Sequence, residues 1–214
     1  MSPPEVILLR PPEARALLVL AHGAGAGMRH PFMQAIAESL AGERVATFRY
    51  QFPYMDAGAH RPDPPAVAEA AVRAAVDAAR AAAPDLPLFA GGKSFGGRMT
   101  STAGAHAPLD GVRGLVFLGF PLHPAGRPGV TRAAHLERVT VPMLFLQGTR
   151  DSLAVLDLMG PVCDHLGARA TLHVVDGADH SFSMLKRSGR SNAEVLTELA
   201  ATISAWTARI ADSG

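Results

Sequence analysis

Short apolar runs alternate along the chain with longer stretches of helical character, and this alternation is the feature that most constrains the fold. Most of the runs are apolar at every position, as expected for strands that are covered on both faces of a parallel sheet. The longer stretches between them are suited to helices that pack on those faces. The pattern predicts an α/β fold with a doubly wound, mostly parallel sheet flanked by helices.

The predicted strands cover residues 6–9, 16–21, 44–49, 86–90, 112–118, 142–147 and 170–175. The predicted helices cover residues 31–40, 65–83, 95–106, 132–139, 153–166 and 192–210. Three loops rich in Pro and Gly, at 23–27, 53–65 and 120–129, each follow a strand. We therefore expect all three at the carboxyl edge of the sheet, where open α/β folds bind their ligands.

Length and charge narrow the classes of protein that fit. A chain of 214 residues suits one domain with a single core, so we expect one domain over 1–214. The formal net charge is +1 and the basic residues are scattered, which argues against a nucleic-acid partner. The single cysteine, Cys163, excludes an internal disulfide and is expected to pack as a buried apolar residue.

The amino-terminal segment shows no targeting signal, and the histidines show no metal-binding pattern. Residues 1–5 lack a basic region, and the nearest apolar run, at 16–21, is too short to span a membrane, so we expect a cytoplasmic protein without a membrane partner. Nine histidines are dispersed without an H-x-H or H-E-x-x-H pattern, so no metal site is predicted. The nucleotide-binding patterns also fail, because Pro87 and Met28 stand where such loops need glycine.

The strongest motif is Gly92-Lys93-Ser94-Phe95-Gly96, which has the form G-x-S-x-G between a predicted strand and a predicted helix. In such a turn the serine adopts a strained backbone conformation, and its hydroxyl is exposed at the start of the helix. Ser94 is therefore the candidate nucleophile. The backbone N–H of Phe95 is the first candidate donor to an oxyanion, because the helix start favours negative charge.

A serine nucleophile needs a base and a carboxylate that orients that base. Candidates for both lie in the loops after the last two predicted strands. His180 lies in a Gly- and Asp-containing loop after the strand at 170–175, and Asp151 is the first carboxylate after the strand at 142–147. The sequence predicts His180 as general base and Asp151 as its partner. Competing carboxylates are Asp157, which lies in a predicted helix, and Asp176 and Asp179, which are expected to shape the histidine loop.

The second oxyanion donor is expected in the loop His22-Gly23-Ala24-Gly25, which follows the strand at 16–21. Small residues there allow the backbone to approach a substrate oxygen, and Ala24 is the first candidate with Gly25 next. His22 is interpreted as a structural residue that forms hydrogen bonds at the base of this loop.

Taken together, these motifs resemble the α/β-hydrolase superfamily, and the order Ser, Asp, His along the chain matches as well. Within it the chain resembles the small dienelactone-hydrolase-like proteins, in particular the bacterial branch related to the vertebrate testis-expressed hydrolase-like proteins and to a subunit of the NSL acetyltransferase complex. The more specific similarity lies in two runs, Arg49-Tyr50-Gln51-Phe52-Pro53-Tyr54-Met55 and Gly91-Gly92-Lys93-Ser94. The resemblance implies a shortened sheet and no cofactor. The brief connection at 119–141 also leaves no room for a lid domain.

The leading functional hypothesis is hydrolysis of a small-molecule ester or thioester through an acyl-enzyme. Alternatives are a peptidase or amidase with the same residues, or a non-catalytic interaction module on the same fold. Lys93, Arg98 and Arg150 either attract an acidic substrate or form ion pairs behind the site. Phe52, Tyr54, Met55, Phe120 and His123 either line a pocket or pack the loops. The chain is expected to be a monomer or a homodimer.

Overall fold

The structure is a computed structural model that describes residues 5–59 and 61–212. Most of the amino-terminal segment used above to predict location, residues 1–4, lies outside the described residues. Seven strands form one sheet in the order β1-β3-β2-β4-β5-β6-β7. Their bounds are β1 Val6–Leu9, β2 Ala16–Ala21, β3 Val45–Tyr50, β4 Leu88–Lys93, β5 Val112–Leu118, β6 Met143–Gly148 and β7 Ala170–Val175.

The sheet is parallel from β3 to β7, and only the edge strand β1 pairs antiparallel, with β3. This mostly parallel sheet confirms the predicted fold class. In β2 the alternate residues Leu17 and Val19 face one core, while Leu18 and Leu20 face the other. Both faces of the sheet are therefore buried, which explains why the strand reads as a continuous apolar run.

Helices cover both faces of the sheet. Residues of α3, α4 and α5 join the core on one face, and residues of α1 and α6 join the core on the other. The bounds are α1 Pro31–Gly42, α2 Pro53–Asp56, α3 Pro65–Ala82, α4 Phe95–His106, α5 Leu156–Leu166 and α6 Asn192–Asp212. Cys163 in α5 is a buried free cysteine, as predicted. No helix in the described part of the chain combines the length and the apolar character needed to cross a membrane.

The structure corrects several predicted boundaries. Strand β4 runs on to Lys93 instead of ending at residue 90, because Gly91 and Gly92 let its backbone pair with β2 and β5. Pro53, suited to a first helical turn, starts the short α2 inside a predicted loop. The segment predicted as a helix over 132–139 is the 3-10 helix Thr131–Arg138. It is the only helical element between β5 and β6 in the described chain, so no lid domain is inserted there.

Glycine-to-alanine substitutions test how closely the central strands β4 and β5 approach each other. A Cβ on Gly91 would overlap the carbonyl oxygen of Val116 on β5, so Gly91→Ala should lower the free energy of unfolding by about 3 kcal/mol or more. Gly104, inside α4, has only Leu115 and Leu109 side-chain carbons near its added Cβ, at 3.8 and 3.9 Å. The matched variant Gly104→Ala should therefore stabilise by roughly 0.5–1 kcal/mol. Urea unfolding of both variants checks this, and a mild effect at Gly91 would contradict the close approach.

Candidate active site

Ser94 occupies the sharp turn between β4 and α4, with φ 50° and ψ −111°. Side chains on either side of it would collide with β2: an added Cβ on Gly96 would lie 2.6 Å from the His22 carbonyl oxygen, and one on Gly92 would lie 2.8 Å from the Ala21 Cβ. Glycine at both positions therefore lets the turn pack against the end of β2. The strained conformation places Ser94 at the start of α4, partly exposed.

The structure brings together the three residues that the sequence singled out. The hydroxyl of Ser94 lies 2.9 Å from Nε2 of His180, and Nδ1 of His180 lies 2.7 Å from Oδ2 of Asp151. With Nδ1–H donating to the carboxylate, Nε2 is left as the acceptor for the serine proton. The side chain of Asp151 is fully buried, and that of His180 is 22% exposed. The arrangement can therefore pass a proton from the serine hydroxyl to the imidazole.

Asp151 is held by two further hydrogen bonds. Its Oδ1 accepts the backbone N–H of Leu153 at 2.8 Å, and its Oδ2 accepts a hydrogen bond from the side-chain amide of Gln147. Gln147 is itself oriented, because its Oε1 accepts the backbone N–H of Phe120 at 3.1 Å. Gln147 is not among the site residues predicted from the sequence. A polar residue in the otherwise apolar run Met143-Leu144-Phe145-Leu146 was the signal that could have revealed it.

The loop after β2 supplies one free backbone donor beside Ser94. The N–H groups of Ala24 and Phe95 have no acceptor among the described residues, and both residues line a cleft with Ser94. The N–H of Gly25 instead donates to the hydroxyl of Tyr54 at 2.8 Å. This bond favours Ala24 over Gly25 as a donor to substrate. It also gives Tyr54, considered above only for a pocket wall or loop packing, a place in the support of this loop.

His22 holds the same loop from below. Its Nδ1–H donates to the carbonyl oxygen of Gly23 at 2.8 Å, and its Nε2 accepts the N–H of Phe52 at 3.2 Å. These partners require a neutral ring, and burial lowers the pKa of His22. The predicted structural role of His22 is confirmed.

The loop that carries His180 is shaped by Asp179. Oδ1 of Asp179 accepts the backbone N–H groups of Ser181 at 2.8 Å and Ser183 at 2.9 Å, as predicted for a turn residue. Arg150 donates to the carbonyl oxygen of Gly177 at 3.0 Å on the exposed side of this loop. Arg150 therefore ties the histidine loop to the end of β6.

Two clefts meet at Ser94, with volumes of about 610 and 340 Å³. Ala24 and Leu153 line both of them, and His180 lines the smaller one. Of the residues considered for the pocket wall, Phe52, Phe120 and His123 are buried and line neither cleft, which favours loop packing over a wall. Ser94 and His180 are partly exposed in these clefts, whose walls combine apolar residues such as Met99 and Leu153 with charged ones such as Arg98.

Lys93 directly precedes the serine, and its Nζ is buried without a hydrogen-bond partner among the described residues. The ammonium lies 5.7 Å from the centre of the Phe182 ring. Burial lowers the pKa of Lys93 to about 8, although the nearby Asp151 and Asp179 act in the opposite direction. Lys93 is therefore a buried cation whose charge is only partly compensated.

The fold and the site together define an α/β hydrolase with a Ser–His–Asp arrangement at the carboxyl edge of the sheet. Residues 14–208 match the alpha/beta hydrolase domain family, and the chain belongs to that family.

Solved structures share this fold at low sequence identity. A dienelactone hydrolase from Anabaena variabilis aligns with a TM-score of 0.74 at 22% identity, covering 95% of this chain and 90% of its own. A serine hydrolase without a lid from Xanthomonas campestris gives a TM-score of 0.70 at 20% identity, covering 94% and 88% of the two chains. An esterase domain from Rhodothermus marinus gives 0.67 at 15% identity, covering 94% and 91%.

Replacing the buried lysine should stabilise the protein in a pH-dependent way. At neutral pH Lys93 is protonated in both the folded and the unfolded chain, so folding includes the free-energy cost of burying the ammonium. Between about pH 8 and pH 10.5 Lys93 is largely deprotonated in the folded chain but still protonated in the unfolded chain. Lys93→Met should therefore raise the free energy of unfolding by up to about 3 kcal/mol at neutral pH. The gain should shrink as the pH approaches 10.5.

Chemical unfolding across this pH range checks the prediction, with the exposed Lys186→Met as a control that also removes one positive charge. A gain that does not change with pH, or a loss of stability at neutral pH, would argue against a strained buried ammonium at position 93.

Proposed function

We propose that this protein is a serine hydrolase that cleaves ester or thioester bonds of small molecules. The observation that carries the proposal is the continuous hydrogen-bonded series from Ser94 through His180 to the buried Asp151, at 2.9 and 2.7 Å. Ser94 acts as nucleophile, His180 as general base and acid, and Asp151 as the group that orients the imidazole and stabilises its cation. The chain works as one domain, and no metal or cofactor enters the reaction.

The reaction proceeds in two acyl-transfer steps. Oγ of Ser94 attacks the carbonyl carbon while Nε2 of His180 takes its proton, and the carbonyl oxygen becomes an oxyanion that accepts hydrogen bonds from the N–H groups of Ala24 and Phe95. His180 then returns the proton to the leaving alcohol or thiol as the acyl-enzyme forms. A water molecule then attacks the acyl-enzyme while His180 accepts its proton. His180 passes this proton to Oγ of Ser94, which releases a carboxylic acid and restores the serine.

Ester cleavage is favoured over the alternatives by what surrounds the serine. Within the described residues no lid domain covers the clefts at Ser94, which suits small substrates with good leaving groups. Matched ester and amide substrates distinguish an esterase from an amidase. We also propose that the chain belongs to the dienelactone-hydrolase-like branch that includes the testis-expressed and NSL-subunit relatives. An interaction module would need neither the free N–H of Ala24 nor the serine–histidine contact.

Ser94→Ala should leave the fold intact and lower kcat/KM for an activated ester by at least about a thousandfold, because the nucleophile is lost and little packing changes. A fluorophosphonate probe should label the wild type and not this variant. Ser101 provides a matched control, since its hydroxyl also lies 2.7 Å from a histidine, His135, but is fully buried. Ser101→Ala should still be labelled. A folded wild type that resists the probe would contradict the proposal.

Tyr54→Phe tests the support of the loop that carries Ala24. The variant keeps the ring and removes the hydroxyl that accepts the Gly25 N–H, so the loop is held less firmly in place. We expect kcat to fall by roughly tenfold with little change in KM, because an oxyanion donor acts mainly in the transition state. Steady-state kinetics with a neutral ester checks this. A change confined to KM would show that Tyr54 acts on substrate binding.

A further inference from the structure

Three arginines border the larger cleft at Ser94: Arg61 after β3, Arg98 in α4 and Arg132 in the 3-10 helix Thr131–Arg138. Asp63 is the only carboxylate among the described residues that line this cleft. Its Oδ2 already accepts the backbone N–H of Tyr54 at 3.0 Å. The cleft beside the nucleophile therefore carries an excess of positive charge.

Arg98 is directed towards the serine by helix geometry. It lies one turn after Ser94, and its backbone N–H donates to the Ser94 carbonyl oxygen at 3.1 Å. Side chains on a helix lean towards its amino-terminal end, so the side chain of Arg98 extends back along the turn that contains Ser94. Its guanidinium carbon lies 5.9 Å from the centre of the Phe95 ring. The guanidinium thus lies over the side chain of Phe95 and lines the same cleft as Ser94.

The guanidinium groups in this cleft have no anionic partner in the described part of the chain. Nε of Arg98 is buried without a hydrogen bond, and neither Arg98 nor Arg132 forms an ion pair or a side-chain hydrogen bond with a described residue. The two cations also repel each other: burial first, and then the charge of Arg132, lowers the pKa of Arg98. A half-buried cation next to a second cation is unfavourable unless an anion joins them.

We propose that Arg98 and Arg132 bind a carboxylate of the substrate, so that the preferred substrates are esters that also carry a free carboxylate group. A planar carboxylate accepts paired hydrogen bonds from guanidinium groups, which suits arginine better than lysine here. Binding would neutralise the like-charge pair and would place the ester carbonyl near Ser94. Arg61, which is exposed at the rim, attracts the anion to the cleft.

This inference rests on the proposed hydrolase function and adds the substrate class. The carboxylate can belong to the acyl part, as in a monoester of a dicarboxylic acid, or to the alcohol part, as in an acylated hydroxy acid. Two substrate pairs separate these sources. The acyl pair is para-nitrophenyl hemiglutarate and its methyl ester, and the alcohol pair is para-acetoxybenzoate and its methyl ester.

The measured quantity is the ratio of kcat/KM for the anionic ester to that for its neutral partner. In the wild type we expect a ratio well above one in one pair, falling as salt is added. Arg98→Met and Arg132→Met should each lower that ratio by at least about tenfold, as expected for the loss of a charged hydrogen bond. The control is Arg113→Met, which removes the same charge from the amino-terminal end of β5, where Arg113 bonds the Ala211 carbonyl oxygen. Its ratio should equal that of the wild type.

Arg98→Lys keeps the positive charge and changes the hydrogen-bonding geometry, so it should lose part of the preference for the anionic ester. This variant also tests the proposal if Arg98→Met does not fold. Equal ratios in the wild type and both cleft variants would overturn the carboxylate site while leaving the hydrolase in place. If the folded wild type hydrolyses none of the four esters, the proposed function itself is overturned.

Discussion

The close approach of the serine turn to the end of β2 is the constraint on which the site depends. Gly92 and Gly96 allow it, because a side chain at either position would meet the backbone around Ala21. The approach holds the turn in its strained conformation and sets the start of α4 beside the loop that contains Ala24. One backbone contact therefore exposes the nucleophile and brings together two free N–H donors from different parts of the chain.

Behind this turn, buried polar groups are satisfied to different degrees. Asp151 accepts hydrogen bonds from His180, Gln147 and Leu153, so its buried charge is well compensated. Lys93 lies beside it with a buried ammonium that has no hydrogen-bond partner in the described chain. Such imbalance costs stability and is typical of functional sites, where charge is placed for chemistry instead of folding. The apolar cores on both faces of the sheet offset it.

The sequence predicted the features that depend on local pattern and chain order. Short apolar runs, most of them continuous, located all seven strands, and the turn motif with the order Ser, Asp, His selected three residues that lie within hydrogen-bond reach. It could not predict which loop N–H groups remain free, because the bond from Gly25 to Tyr54 joins residues 29 positions apart. The amide of Gln147 lies only four positions from Asp151, which it supports, but the backbone N–H that orients it belongs to Phe120, 27 positions away.

The short connection between β5 and β6 determines how such a site can discriminate among substrates. The described part of the chain inserts no lid domain there, so the clefts at Ser94 are not covered and shape alone selects weakly among ligands. Charge acts at longer range than packing and does not require enclosure. The same connection forms the 3-10 helix that places Arg132 in the lining of the cleft that also contains Arg98. The short connection between β5 and β6 thus leaves the serine uncovered and also contributes Arg132 to the cleft. Electrostatic recognition is therefore the selection mechanism best suited to this architecture.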